Sequence, residues 1–100
     1  MEGTYRLNEL REDGRMHWLD DANGWRAEPD DVVSALAAEG FEEYKRETAR
    51  TPRGGDAAGG VWQGLDHRTG AVASTIWVRD PATHSPIVFI SINGHPVQGR

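Results

Sequence analysis

The chain carries four histidines, His17, His67, His84 and His95, and ten arginines beside the single lysine Lys45. A nuclease-like site needs a histidine or carboxylate close to an arginine that stabilises phosphate charge. His67, Arg68, His84 and Arg79 are the candidates that could supply it, with Glu47 and Arg46 beside them. No spacing forces these residues together. His67 and His84 fall in successive connections between strands, which lie at opposite ends of a meander, so no shared metal is expected. Their bland alternative is a solvated turn.

No GxGxxG, P-loop, HExxH, GxSxG or calcium-loop pattern occurs. The pairs Gly54-Gly55 and Gly59-Gly60 precede no convincing helix, so no phosphate cradle is read there. With no cysteine, thiolate nucleophiles, cysteine zinc sites and disulfides are excluded together. No cofactor and no metal are expected, and enzymatic activity is the lesser reading.

Tryptophan is the more informative residue. Trp18, Trp25, Trp62 and Trp77 make up half of the aromatics. Their plain role is core area in a small domain. Their functional role is to floor a recognition patch, where tryptophan is enriched. Trp62, Trp77, Val88 and Ile90 are the residues expected to form a partner- or ligand-binding surface. The same tryptophans with Ile90 could line a cup for a small ligand. Glu42, Glu43, Glu47, Asp30 and Asp31 are an acidic group that would steer a basic partner, or simply a solvated face.

These residues must be positioned by strands. Pro86–Ile92 is rich in Ile, Val and Phe and is bounded by turn signals, as a strand should be. Alternation places Ile87, Phe89 and Ser91 on one face and Val88, Ile90 and Ile92 on the other. Both faces are apolar, so both call for a cover. Before this strand, 61–66 and 71–79 form a hairpin around Asp66-His67-Arg68-Thr69-Gly70, where Asp66 caps amides and Gly70 takes the left-handed position. The expected register sets Leu65 against Val72, Gln63 against Ser74 and Val61 against Ile76. In the next hairpin, Ile76 meets Phe89 and Trp77 meets Val88. Gly64 and Ala73 would leave a shallow depression between Trp62 and Trp77.

A helix is expected over 29–39. Pro29 sits in the first turn, Asp30 and Asp31 complement the dipole, and Gly40 ends it. Its stripe is Val32, Val33, Leu36 and Ala37. Residues 41–50 read as a charged edge strand. Residues 15–20 read as a strand with Met16 and Trp18 inward. Residues 4–10 read as a strand or a helical turn, with Asp13-Gly14 as a hairpin signal. The Gly-rich stretch 51–60 reads as a flexible loop, and 95–100 as a mobile polar tail.

The fold class is therefore α+β: an N-terminal β-hairpin, one helix at about 29–39, and a C-terminal antiparallel meander at about 61–92. One hundred residues suit one domain. The chain begins at Met1 without a signal-peptide pattern and reads as a whole, cytoplasmic product. No apolar stretch is long enough to span a membrane. A net charge of −5 argues against nucleic acid and allows a basic protein partner. The expected function is a small non-enzymatic protein-binding module, such as an inhibitor, immunity-type or accessory regulatory factor, or a homodimer. The alternatives are a small ribonuclease-like enzyme, by analogy with helix-plus-meander toxins, and the tryptophan-lined cup.

Overall fold

The computed structural model describes residues 5–50 and 57–99. Its elements are α1 (Tyr5–Glu12), β1 (Met16–Asp20), β2 (Gly24–Ala27), α2 (Pro29–Ala38), β3 (Glu42–Arg50), β4 (Ala57–Leu65), β5 (Val72–Arg79), β6 (Pro86–Ile92) and β7 (His95–Pro96). The strands form one antiparallel sheet in the order β1-β2-β6-β5-β4-β3, with β7 also on β6. The α+β class is as expected, with two helices in place of one.

The meander follows the sequence closely. The Asp66 amide donates to the Ala71 carbonyl, and Gly70 takes φ +76. From there Leu65 faces Val72, Gln63 faces Ser74, Val61 faces Ile76, Ile76 faces Phe89 and Trp77 faces Val88, the register read from the alternation. Residues 42–50 form the edge strand, every one of them exposed.

Helix α2 also forms where its signals lie. Gly40 adopts φ +111, and the Phe41 amide donates to the Leu36 carbonyl, folding a buried ring back onto the last turn. Val32, Ala35 and Leu36 are its buried residues. Ala35 takes the place expected for Ala37, which faces solvent.

The N-terminus differs from expectation. Residues 5–12 are helical, and Leu7 and Leu10, three apart, bury on one face. Gly14, at φ +74, ends this helix instead of turning a hairpin, and the Arg15 amide donates to the Leu10 carbonyl. A left-handed glycine serves either purpose, so Asp13-Gly14 alone does not decide. The hairpin is β1–β2, turned by Asp20, whose Oδ1 accepts from the Ala22 and Asn23 amides. It adds to the free edge of β6, pairing Trp25 with Val88.

Two further expectations change. Part of the Gly-rich stretch, 57–60, is strand β4, and 51–56 lie outside the described residues. The tail is hydrogen-bonded: His95–Pro96 pair with β6, the Val97 amide donates to Ile90, and the Trp25 indole donates to the Val97 carbonyl at 2.8 Å.

Both helices lie on the same sheet face. Leu7, Leu10, Val32 and Leu36 meet Met16, Trp25, Trp62, Ala73, Val88, Ile90 and Ile92 in one core. Among the described residues, no helix is long and apolar enough to cross a membrane.

Candidate functional site

The helices cover one sheet face, and no described element covers the other. Alternation puts Val61, Ile76, Val78, Ile87 and Phe89 on that outer face. Ile76 is 48% exposed, Val78 46% and Phe89 37%. They sit on the neighbouring strands β5 and β6, with Ile76 opposite Phe89 and half-buried Val61 opposite Ile76 on β4. Leu19 on β1 is 37% exposed as well. A shallow groove of about 350 Å³ runs beside it, lined by Ala49, Gly59, Val61, Ile76 and Val78.

Charge rims this patch. Glu42 and Glu47 on β3 pair in register with Leu65 and Val61, which places both on the outer face. Lys45 shares that face, beside Gln63. Arg26, opposite Ile87, reaches Asp80 at 3.8 Å and Thr83 at 3.3 Å.

The surface expected around Trp62, Trp77, Val88 and Ile90 is the opposite face, and the helices cover most of it. Trp62, Val88 and Ile90 are buried, and Trp77 is half-buried. The reason is the second helix: α1 and α2 together supply enough apolar side chains to hide this face. The depression expected at Gly64 is filled by Trp62, since a β-carbon on Gly64 would stand 2.5 Å from its ring. The Trp62 indole donates to Glu43 Oε1 at 2.8 Å, and Arg46 Nη2 donates to the same oxygen at 2.6 Å. These two bonds, the arginine's first, hold the Glu43 carboxyl below its ordinary range.

A cleft of about 240 Å³ survives on the helix side, where the start of α2 approaches β3–β5. Trp62, Thr75 and Trp77 line its inside, and Glu28, Asp30, Arg46, Thr48 and Arg79 line its mouth. It contains the two tryptophans of the expected cup, without Ile90. Thr75 is fully buried, and its hydroxyl has no hydrogen-bond partner among the described residues. Sequence reading missed Thr75, Glu28 and this role for Asp30, which only tertiary approach brings together.

The histidine and arginine candidates do not gather in one place. His67 and Arg68 sit in the β4–β5 turn, and His84 lies beyond the other end of the eight-residue strand β5. His67 Nε2 is 3.3 Å from Glu42 Oε2. Arg68 grips Asp66 through Nε and Nη2 and donates to the Glu39 carbonyl at the end of α2. Those bonds pull the Asp66 carboxyl below its usual range. Arg79 donates to the Ala57 and His84 carbonyls, and its guanidinium lies 5.5 Å from the Trp77 ring centre. Arg79 thus meets the backbone of His84. No three His, Asp or Glu side chains gather as metal ligands among the described residues.

No family model, curated protein or solved structure was found to match the chain.

Proposed function

We propose that this protein is a small non-enzymatic binding module of the inhibitor, immunity or accessory type. Its working surface is the bare sheet face of β4, β5 and β6. The observation that carries this reading is the contiguous exposure of Ile76, Val78 and Phe89 on neighbouring strands. Exposed apolar patches of this kind mark interaction surfaces when they are rimmed by polar residues.

The occupant is a protein with an apolar patch and a basic rim. A charge of −5 sets two copies of this chain against each other and attracts a basic surface. Glu47, opposite Val61, lies at the patch margin, where rim charges act mainly on association rate and orientation. The apolar residues supply the affinity.

The test is capture from the native cell, then reconstitution with the purified captured protein. Ile76→Asp with Val78→Asp should weaken that complex at least ~10-fold, about 1.4 kcal/mol. Circular dichroism should show the variant folded, because both side chains point to solvent. Rising salt should slow association of the wild type. A complex of undiminished affinity in the double variant would falsify the assignment of this face. A strict homodimer would replace the proposed partner with a second copy.

A further inference from the structure

Strand β3 stands at one end of the sheet and bonds β4 alone. All nine of its residues, Glu42 to Arg50, are exposed. Ordering a strand costs conformational entropy that burial normally offsets. No side chain of β3 is buried to offset it, so a cover from outside the chain would supply what its own fold does not.

The main chain of β3 has a free side. The Asp66 amide bonds the Ala71 carbonyl to close the β4–β5 turn. Bonded and non-bonded pairs alternate from there, so Gly64, Trp62 and Gly60 bond β5, while Gln63, Val61 and Gly59 turn to β3. Lys45, Glu47 and Ala49 are their partners. Arg46 and Thr48, in between, direct N–H and C=O away from the sheet, where no described element meets them.

The side chains specify which strand fits this edge. Strand β3 carries three acidic residues, Glu42, Glu43 and Glu47, and three basic ones, Lys45, Arg46 and Arg50. Its own charge balances, although that of the chain is −5. Consider a second β3 laid antiparallel to the first, with the two-fold axis at Arg46. Lys45 then faces Glu47 of the second copy, and Glu47 faces its Lys45, on the outer sheet face. The two Arg46 side chains lie together on the inner face, each already held by Glu43 of its own chain at 2.6 Å. The bulge between Glu43 and Lys45 keeps the faces in step, so that beyond it Thr48 meets Glu43 and Ala49 meets Glu42. Moving the axis by one residue sets Lys45 against Lys45 or Glu47 against Glu47. Charges on an edge exclude strands of other sequence. Their order in β3 also excludes its own slipped registers and leaves this one.

We infer that β3 is a self-recognition edge, where a second copy of this chain adds its own β3 and joins the two sheets into one. This edge is a different surface from the apolar face of β4, β5 and β6. The net charge of −5 opposes contact between whole chains, so the complex is a weak, reversible dimer.

Sedimentation equilibrium of the whole chain, up to the concentrations used for nuclear magnetic resonance, tests the edge. Wild type should show a monomer–dimer equilibrium. Lys45→Glu and Glu47→Lys should each weaken it at least ~10-fold, because each turns both cross-strand pairs into like charges. An equimolar mixture of these two variants should dimerise again, since each chain then offers the charge the other lacks. The double variant Lys45→Glu/Glu47→Lys should recover as well. Thr48→Pro removes an outward N–H without touching the β4 ladder, so it should abolish the dimer while circular dichroism shows the chain folded. Ile76→Asp with Val78→Asp should leave the dimer intact, which separates this edge from the docking face. The inference is overturned by a strict monomer, by a dimer indifferent to Lys45→Glu, by a mixture that fails to recover, or by a dimer lost in the Ile76 and Val78 variant.

Discussion

The Phe89 ring lies across Gly24: a β-carbon on the glycine would stand 3.0 Å from Cδ1 of that ring and 2.5 Å from the Val88 carbonyl oxygen. Gly24 also holds φ +66, a conformation that side chains resist. The glycine thus lets the β1–β2 hairpin close against β6 while Phe89 stays on the outer face. Gly24→Ala meets both obstacles. The left-handed backbone alone costs ~1–2 kcal/mol, and the contact with a backbone oxygen adds to it. Urea unfolding should show a lower midpoint with little change in slope. An unchanged midpoint would contradict the close approach of this hairpin to β6.

How much of this was legible depends on whether local chemistry or tertiary approach decided the outcome. The register from Leu65 to Ile90 was readable because Asp66 and Gly70 pin one turn and alternation carries the pairing onward. Helix α2 was readable from Pro29, Asp30, Asp31 and Gly40. Helix α1 was not, because Leu7 and Leu10 alone fit a strand or a helical turn equally well. With α1 missing, the choice of covered face also failed. Val88 and Phe89 are both apolar, and only the position of α1 and α2 shows that Val88 is buried. The cleft was half-legible. Trp62 and Trp77 were singled out, but Glu28 and Asp30 come from a different element and reach it only through the fold.

Acid should destabilise the protein in a defined window. Hydrogen bonds from Arg46 and Trp62 lower the Glu43 carboxyl, and those from Arg68 lower Asp66. Asp20 is lowered chiefly by Asn23 and Asp80 chiefly by the Ala82 amide. In each case the folded value lies below the unfolded one, so the unfolded chain takes up protons first as pH falls. The contribution is complete above the ordinary carboxylate values of 3.8 and 4.5, and is lost as pH falls through the lowered folded values. Melting temperature should therefore be insensitive to these groups from neutrality down to about pH 5 and fall below that. Arg68→Gln should flatten the fall by removing the largest cause of the Asp66 shift. An acid profile unchanged in that variant would refute the coupling.

The C-terminal residues should matter despite their polar composition. The Trp25 indole is buried and donates to the Val97 carbonyl at 2.8 Å. The Val97 amide donates in turn to Ile90. Ending the chain at Pro96 removes both partners and leaves a buried donor unsatisfied, a loss of ~1–3 kcal/mol. Val97→Ala keeps both backbone bonds and should cost less. Equal stability of the truncated chain and the wild type, read by urea unfolding, would show that the tail does not hold Trp25.

Thr75→Val should act in the opposite direction. The hydroxyl sits in the core with no partner among the described residues, so it carries a desolvation penalty without a compensating bond. Valine has nearly the same shape and removes that penalty, which should stabilise the fold by ~1–3 kcal/mol. Thr75→Ser, which keeps the hydroxyl and deletes a buried methyl, should instead destabilise it by ~1 kcal/mol. Urea midpoints of the two variants, measured side by side, give the sign. A destabilised valine variant would mean that the hydroxyl has a hydrogen-bond partner within the folded chain.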